Sequence, residues 1–471
     1  MTNLKNGLVK KLLPVLGVTF LLFACATKPD VYKEIDEAVG AASFGDALAA
    51  IEKGQAAKKP IYPENNAVLL YLDKGNLEHY AERHAESSTD LDEAERLIRE
   101  AYTQSVTADI ASYFANDNTK EYAGEDYEDI YTNIFRALNY YHNGEIDNAA
   151  ALINGATDKI KALEGKYTVK EDSAIRPELI TAFIADAVGI ACKAAGLPGF
   201  LVPVPEEILK PNPEAAPFEN SALAKYLEVI FTRYVEGRRE WADLALTDIK
   251  NLGKTFPSLN DEKVEAIPAG KARLNFIGFT GLSPAKVEKI EDLDLFFFPA
   301  LSALRPIDNE KMRLTYGNLA LPSLEPRPSV IDSVEIDVNG QKVTLDLLED
   351  IGDVTEKVFG VKYPSIRTKT YIRALIKYIA VEVAAQVAVG QGLPQLAVIA
   401  AATAAKKGVD ASEKADIRGG RYLPGKAWVG GLTLDPGTYD VTFTFSNGDT
   451  VTKNITVQAN KANIVEAFSL K

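Results

Sequence analysis

The sequence predicts a mainly α-helical protein, in which degenerate repeats of helical hairpins precede a small α+β region and a C-terminal all-β, sandwich-like module. Three observations support this fold class. Apolar residues recur at helical spacing up to about residue 258, apolar and polar residues alternate from about residue 272, and Asn-Gly hairpin turns occur in the last third. With 471 residues, 46% of them hydrophobic, the chain can form more than one core.

The first residues have the three zones of an export signal. Lysines precede an apolar run in "LVKKLLPVLGVTFLLFAC", and Ala24 is the small residue that ends it. The apolar run is too short for a comfortable membrane span. We therefore predict a signal peptide over residues 1–24, with an uncleaved N-terminal anchor as the alternative.

The end of this segment, "LFAC" at residues 22–25, resembles the lipobox of bacterial lipoproteins. In such proteins the cysteine thiol accepts a diacylglycerol, the chain is cut before the cysteine, and the new amino group is acylated. Several acyl chains on one residue anchor a protein stably. Ala26 follows Cys25, whereas the inner-membrane retention signal is usually an aspartate at that position. The resemblance implies a lipid anchor on Cys25 in the outer membrane, facing the periplasm.

The first region after the anchor predicts helical hairpins. In "LYLDKGNLEHYAERHAESSTDLDEAERLI", residues Tyr71, Gly75, Ser87, Leu91 and Ala94 stand where a tetratricopeptide repeat has large, small, small, large and small residues. Small residues let the two helices of a hairpin approach closely, and large ones fill the groove against the next hairpin. The spacing therefore predicts a tetratricopeptide-like repeat.

A second segment, "NIFRALNYYHNGEIDNAAALINGA", gives a similar match, and half-matches surround Ala47 and Ala242. The steps between the repeats are irregular, so inserted helices and loops must interrupt the array. An ordinary helical bundle is the alternative. The matching residues of the second segment are Ala137, Tyr140, Gly144, Ala149, Ile153 and Ala156.

Several stretches together resemble an uncharacterised family of bacterial lipoproteins with tetratricopeptide repeats. These are "YLDKGNLEHYA", "ANDNTKEYAGEDYEDIYTNIFRALNYY", "RYVEGRREWADLAL" and "LPGKAWVGGLTLDPGTYDVTF", so the resemblance covers most of the mature chain. It implies a helical repeat scaffold on the cell envelope, with no established activity.

A polar loop lies between the two best repeats and supplies candidate binding residues. One interpretation is a recognition loop at the mouth of the repeat groove. The other is a structural loop whose Asn and Asp side chains cap helix ends and whose Gly124 makes the turn. The candidates are Asn116, Asp117, Asn118, Tyr122, Asp126 and Tyr127.

From about residue 272 the pattern changes to that of strands. "ARLNFIGFTG", "KMRLTYGNLALP" and "SVEIDVNGQKVTLDLL" alternate, and Asn339-Gly340 is a strong hairpin signal. A helical stretch over residues 369–407, broken near "GQGLPQ", predicts a packed helical hairpin that covers the small sheet. A membrane or membrane-surface role for its apolar segment is the alternative.

A basic set opens this helical stretch. Arg373 and Lys377 are four residues apart and share a helix face. They are candidates for binding an anionic ligand, such as a lipid headgroup or a glycan carboxylate. In an acidic chain, however, ion pairs with its own Asp and Glu residues are the favoured interpretation.

The pattern of the C-terminal tail predicts a small all-β module. "GTYDVTFTFSNGDTVTKNITV" predicts two strands joined at Asn447-Gly448, and "ANIVEAFSL" predicts another edge strand. The predicted organisation is a signal peptide at 1–24, a helical repeat region at 25–262, a mixed α+β region at 263–415 and the β module at 416–471.

Composition excludes several functions. There are 66 Asp plus Glu against 52 Lys plus Arg, a net charge of −14, which argues against nucleic acid as a partner. Of the two cysteines, Cys25 would carry lipid, which leaves Cys192 without an intrachain partner. Cys192 is better explained as a buried small hydrophobe than as a nucleophile.

The three histidines form no recognisable motif. His79 and His84 are five apart, which on one helix places them about 140° apart, and the His-Glu-x-x-His spacing of a zinc site is missing. His142 lies in a repeat turn. No phosphate-binding glycine loop, dinucleotide fingerprint or nucleophile elbow is found. The sequence therefore predicts no enzyme, no cofactor and no metal.

Two functional hypotheses follow. The first is an outer-membrane-anchored, periplasmic scaffold whose helical repeats present a concave surface to an envelope protein. The second is a ligand-binding lipoprotein, in which the helical groove or the helix–sheet interface holds a small apolar or anionic molecule for a transport system. An open polar groove would favour the first, and a pocket of a few hundred Å³ the second.

Overall fold

The structure is a computed structural model that describes residues 32–106, 117–173, 220–235, 238–252, 256–294 and 316–471, with the single residues 186, 189 and 193. It has a helical N-terminal part and a C-terminal part that contains the sheets, as the sequence predicts at this level. The predicted signal peptide, Cys25, Asn116 and Cys192 lie outside the described residues.

The helices of the N-terminal part form consecutive hairpins. Within the described ranges, α1/α2, α3/α4, α5/α6 and α7/α8 pack as pairs, and α2–α3, α4–α5 and α6–α7 contacts join one pair to the next. In each of the first three pairs, a turn of three residues joins the two helices. Their bounds are α1 Lys33–Gly40, α2 Phe44–Gln55, α3 Ala67–Tyr80, α4 His84–Val106, α5 Asp126–His142, α6 Ile146–Ser173, α7 Ala222–Thr232 and α8 Arg239–Asn251.

Small residues sit where two helices of a hairpin meet. In the α3/α4 hairpin, a Cβ on Gly75 would lie 2.7 Å from the Leu91 side chain, so no larger residue fits without displacing it. The Ser87 hydroxyl donates a hydrogen bond of 2.7 Å to the Gly75 carbonyl across the same contact. The close approach that the sequence predicts is therefore present in this hairpin.

The alignment of the second repeat needs one correction. Gly75 precedes Ser87 by twelve positions, and Ala137 precedes Ala149 by the same twelve, so Ala137 is the structural counterpart of Gly75. Gly144 lies instead in the α5–α6 turn at φ +83°, with nothing near its missing side chain. It serves the turn through a positive φ rather than the contact between helices.

Two four-stranded sheets and one ladder make up the β part. The sheet orders are β10-β1-β7-β6 and β5-β4-β8-β9, while β2 pairs with β3; β1 and β10 are parallel and the other pairs are antiparallel. The strands are β1 Ala272–Leu282, β2 Ala285–Asp294, β3 Tyr316–Glu325, β4 Val334–Val338, β5 Gln341–Thr344, β6 Asp346–Asp350, β7 Pro424–Leu434, β8 Gly437–Phe445, β9 Thr450–Val457 and β10 Ile464–Ser469.

The predicted separate β module at 416–471 requires correction, because the sheets cross that boundary. β7 and β10 of the tail flank β1, and β8 of the tail pairs with β4. Alternation along a strand predicts which residues face a core, but it carries no information about the partner strand. The mixed region and the tail therefore share both sheets.

β1 is buried on both faces and links the helical part to the sandwich. Leu274 and Phe276 face the second sheet, where Phe276 meets Phe443 of β8 edge to face at 6.3 Å. Ile277 and Phe279 belong to the core shared with the helices. Since successive side chains of a strand point to opposite faces, β1 is the middle of a helix–sheet–sheet arrangement.

The predicted helical hairpin over the sheet is present, with a longer first helix than expected. α9 (Ile351–Gly390) begins where Asp350 accepts a hydrogen bond from the Asp353 backbone, and α10 (Gln395–Ser412) packs against α9. Both helices contact β3, and α9 also contacts β7. None of the helices in the described ranges is long and apolar enough to cross a membrane.

The inner face of the helical hairpins is covered by the chain itself. Residues 418–422, the inner segment, make contacts with α1, α3 and α5. Asp73 of α3 accepts a hydrogen bond of 2.6 Å from the Arg421 backbone, and Glu128 of α5 accepts one from Gly420. Asp36 of α1 pairs with the Arg421 guanidinium. The first three hairpins therefore each contribute one carboxylate to the inner segment.

Candidate functional site

A cleft of about 480 Å³ opens where the helical part meets the strands β9 and β10. We call it the histidine cleft. The turn after α3, the end of α5 and the β9–β10 turn supply its walls. Its principal polar lining residues are Glu82, His84, His142, Lys453, Lys461 and Glu466.

All three histidines of the chain converge at this cleft. His84 and His142 stack with ring centroids 4.2 Å apart and planes at 11°, and His79 lies 5.3 Å from His84 and 6.4 Å from His142. The sequence argument that placed His79 and His84 on opposite sides of one helix was wrong, because α3 ends at Tyr80 and α4 begins at His84. The turn between them brings the two rings together.

A buried carboxylate bridges two of these rings. Glu466 of β10 is 3% exposed, with one oxygen 3.3 Å from His79 Nε2 and the other 2.6 Å from His142 Nε2. Burial by itself would raise the pKa of Glu466, but His79 and His142 outweigh burial and hold the pKa well below its usual range. Glu466 is therefore charged at neutral pH.

Asn139 fixes the orientation of the His79 and His84 rings. Its Oδ1 accepts from His79 Nδ1 at 2.6 Å and from His84 Nδ1 at 3.1 Å, while its amide donates to Ser87 at 2.8 Å. An amide oxygen only accepts, so both Nδ1 atoms carry their proton. This arrangement leaves Nε2 as the basic nitrogen of His84.

His84 is held neutral at pH 7. Burial, together with the neighbouring His79 and His142, lowers the pKa of His84 to about 4. Its Nε2 has no hydrogen-bond partner within the part of the chain that the structure describes. The cleft therefore contains one acceptor nitrogen that a ligand can satisfy.

Two lysines complete the charge of the histidine cleft. Lys453 of β9 forms an ion pair of 2.7 Å with Glu82 of the α3–α4 turn. Lys461 is exposed and has no ion pair among the described residues. Because both carboxylates already have partners, added negative charge would meet Lys461 and the rings.

The geometry of the histidine cleft bears on two kinds of chemistry, proton transfer and metal binding. A carboxylate that orients a histidine is one half of a general-base arrangement, and Glu466 with His142 has that form. No group of three or more His, Cys, Asp or Glu within the described residues is arranged to hold a metal ion. The geometry best suits reversible binding of a polar group.

The predicted polar loop lies away from the histidine cleft, against the inner segment and the residues just before it. Asn118 donates a hydrogen bond of 2.8 Å to the Ala415 carbonyl, buried Tyr122 donates one of 2.8 Å to Glu128, and Asp126 pairs with Lys362 at 3.1 Å. Tyr127 is buried, while Asp117 begins a short 3-10 helix, Asp117–Thr119. These contacts agree with the structural interpretation of the loop.

Part of that interpretation is confirmed and part is corrected. Gly124 has φ +75° and makes the turn before α5, as predicted. The N-terminus of α5 is capped by Glu125 and Glu128 in a reciprocal capping box, not by the Asn and Asp residues of the loop. The capping box depends on two glutamates that the sequence argument did not consider for this role.

The basic pair on α9 is used within the fold. Arg373 and Lys377 both bind Glu413, at 2.9 and 2.5 Å, and Arg373 is 3% exposed. This is the ion-pair interpretation that the sequence favoured. Neither residue lines the histidine cleft.

The histidine cleft was missed because its residues come from distant parts of the chain. His79 and Glu466 are separated by 387 positions and meet only through the pairing of β10 with β1. The available signal was that His79, His84 and His142 each fall at an end of a predicted repeat helix. Stacking of the hairpins brings such ends together.

No protein-family model, no curated protein and no solved structure matches the chain. The resemblance to the lipoprotein family therefore stays a prediction.

Proposed function

We propose that the protein is a ligand-binding lipoprotein of the bacterial envelope that holds a small apolar or anionic molecule in the histidine cleft. The supporting observation is a cleft of about 480 Å³ at the helix–sheet interface, into which every histidine of the chain is directed together with a buried glutamate. Small-molecule sites have volumes of roughly 300–1,000 Å³ and a few convergent polar groups.

The location is part of the proposal. A lipid on Cys25 would hold the protein at the outer membrane, where the remainder of the chain faces the periplasm. There a bound molecule can be passed to a transport system. Acyl masses on the N-terminal peptide, absent from a Cys25→Ala variant that is released from the membrane fraction, test this part.

The scaffold hypothesis also stays a prediction. We favour ligand binding over it because of the contacts that the helical hairpins make within the protein. The face of the helical hairpins that meets the β part is in contact with the inner segment and with β7. For example, Tyr80 of α3 donates a hydrogen bond of 2.8 Å to Tyr422, and Tyr226 of α7 donates one of 3.1 Å to Gly430. A partner at that face would have to displace both.

Native mass spectrometry of the protein purified from its own envelope tests ligand binding. Thr456 is exposed on β9 and lines the cleft, so Thr456→Trp should fill the cleft and remove a bound mass. Thr450→Trp is the matched control, because Thr450 is equally exposed on the same strand and does not line the cleft. Retention of the mass by Thr456→Trp, or no bound mass in any sample, would contradict the proposal.

A further inference from the structure

We propose that the ligand of the histidine cleft carries an oxyanion, such as a phosphate or carboxylate group, and that this anion is bound together with a proton taken up from solvent by His84 Nε2. This inference rests on the proposed function and narrows the ligand to one chemical class. It also assigns a role to the stacked imidazoles, which the fold alone does not require.

The charge balance of the cleft favours an anion. Glu466 is shared by His79 and His142, and Glu82 is paired with Lys453. Among the described residues that line the cleft, no carboxylate is therefore left for a cationic ligand. Lys461 brings a positive charge that the described part of the protein does not neutralise, in a chain whose net charge is −14.

The hydrogen-bond arrangement makes His84 the group that responds. Its Nδ1 proton is committed to Asn139, so a second proton can bind only at Nε2. A protonated Nε2 is a donor for an oxyanion, and the resulting charge-assisted hydrogen bond is among the stronger kinds. The ring of His142 lies parallel to His84 at 4.2 Å and holds it in place.

Linkage turns this geometry into a pH dependence. Without a ligand the pKa of His84 is about 4, so protonation near neutral pH is unfavourable. A nearby anion favours the charged ring, and by reciprocity the charged ring favours the anion. If the anion restores the ordinary pKa of 6.5, the affinity at pH 5.5 exceeds that at pH 7.5 by about tenfold.

Other charges around the cleft set the background against which His84 titrates. All the elements that line the cleft except α6, which contributes only Ile146, supply at least one titratable group. These groups are His79 of α3, Glu82 of the α3–α4 turn, Tyr141 and His142 of α5, Lys453 of β9, Lys461 of the β9–β10 turn and Glu466 of β10. The variant His84→Gln separates the contribution of His84 from theirs.

The test uses the whole protein with ¹³C-labelled histidine, which gives only three ring signals to assign. Sulfate is the probe for a tetrahedral oxyanion because it stays doubly charged from pH 5.5 to 7.5, and acetate is the probe for a carboxylate. Ionic strength is held constant with chloride. We expect sulfate or acetate to shift the His84 signal, to raise the pKa of His84 from about 4 to near 6.5, and to bind about tenfold more tightly at pH 5.5 than at pH 7.5.

The variant and the two probes separate the outcomes. His84→Gln should lose the pH dependence, so that its affinity for a probe is the same at pH 5.5 and pH 7.5; a far-ultraviolet circular dichroism spectrum like that of the wild type verifies that it folds. A probe affinity that does not change with pH overturns the coupling to His84. If neither probe binds while a mass is lost from Thr456→Trp, the anion class is wrong and the proposed function stands. If no ligand of any kind is found, both fail.

Discussion

The inner segment and the histidine cleft are two places where the helical hairpins meet the β part. They differ in whether their polar groups have partners within the protein. At the inner segment, Asp36, Asp73 and Glu128 all accept hydrogen bonds from residues 420–422. At the cleft, His84 Nε2 and Lys461 have no partner among the described residues. The first interface is completed by the chain, whereas the second keeps a ring nitrogen and a lysine without partners among the described residues, where we propose that a ligand binds.

The two places also differ in electrostatics. Burial raises the pKa of Asp73 to about 6 and that of Glu128 to about 7, the latter with help from Glu125, because their donors are largely neutral groups. At the cleft, burial of Glu466 is outweighed by two imidazoles and its pKa falls. Equal burial therefore produces opposite shifts, depending on whether the partner carries a charge.

The largest expected effect comes from breaking the completed interface. Asp73 is 1% exposed and accepts from Tyr62 at 2.6 Å and from the Arg421 backbone at 2.6 Å. Asp73→Ala leaves both donors buried and unpaired, so we expect a loss of about 3–5 kcal/mol in the free energy of unfolding by urea. Sulfate affinity of the folded fraction should be unchanged. A loss below about 1 kcal/mol would show that the inner segment is held mainly by apolar contacts.

A smaller loss is expected at the cleft. Glu466→Gln keeps the shape of the side chain and removes its charge, which should cost about 2 kcal/mol at pH 7, since hydrogen bonds to charged groups contribute about 1.5–3 kcal/mol. The folded pKa of Glu466 is lowered, so its stabilisation is complete above the unfolded value of 4.5 and is lost as pH falls below it. Unfolding of both proteins at pH 7 and pH 3.5 measures this; the difference between them should shrink at the lower pH.

The pH dependence of stability between 4.5 and 7 should show two opposing contributions. The raised pKa values of Asp73 and Glu128 mean that the folded state binds more protons than the unfolded state, so their contribution increases as pH falls. His84 acts oppositely, because its lowered pKa makes the fold less stable as pH falls from 6.5 towards 4. Without ligand, His84→Gln should therefore be more stable than the wild type at pH 5.

We expect the stability difference between His84→Gln and the wild type at pH 5 to be about 1 kcal/mol, because His84 is partly exposed and solvent screens its charge. The stability of the two proteins should be equal at pH 8, where His84 is neutral in both the folded and unfolded states. Thermal unfolding followed by circular dichroism at pH 5 and pH 8 checks both statements. A difference that is the same at both pH values would indicate a packing effect of the substitution instead.

The sequence predicted what depends on local pattern. The helices of the hairpins, the alternating strands such as β1, β4, β8 and β9, the turn at Gly124 and the ion pairing of Arg373 all follow from spacing and composition. The strand β2 does not, because the sequence around Pro284 favoured a helix start there. Partners distant in sequence could not be predicted, because the pairing of β1 with β10 and of β4 with β8 has no local signature. Those pairings place Glu466 beside His79, so the cleft became visible only with the tertiary structure.

The smallest effect on stability, and the sharpest contrast between the two regions, is expected for Lys461. Lys461 is exposed and unpaired in the described structure, so Lys461→Gln should change the free energy of unfolding by less than about 0.5 kcal/mol. Arg373→Gln removes the same charge at a site completed by Glu413, and it should cost about 2 kcal/mol, because the buried Glu413 carboxylate keeps Lys377 but loses its second cationic partner. Sulfate titration should reverse the order: Lys461→Gln weakens binding severalfold and Arg373→Gln does not. Equal effects of both substitutions in both assays would mean that an unpaired charge at the cleft has no different role from a paired one inside the fold.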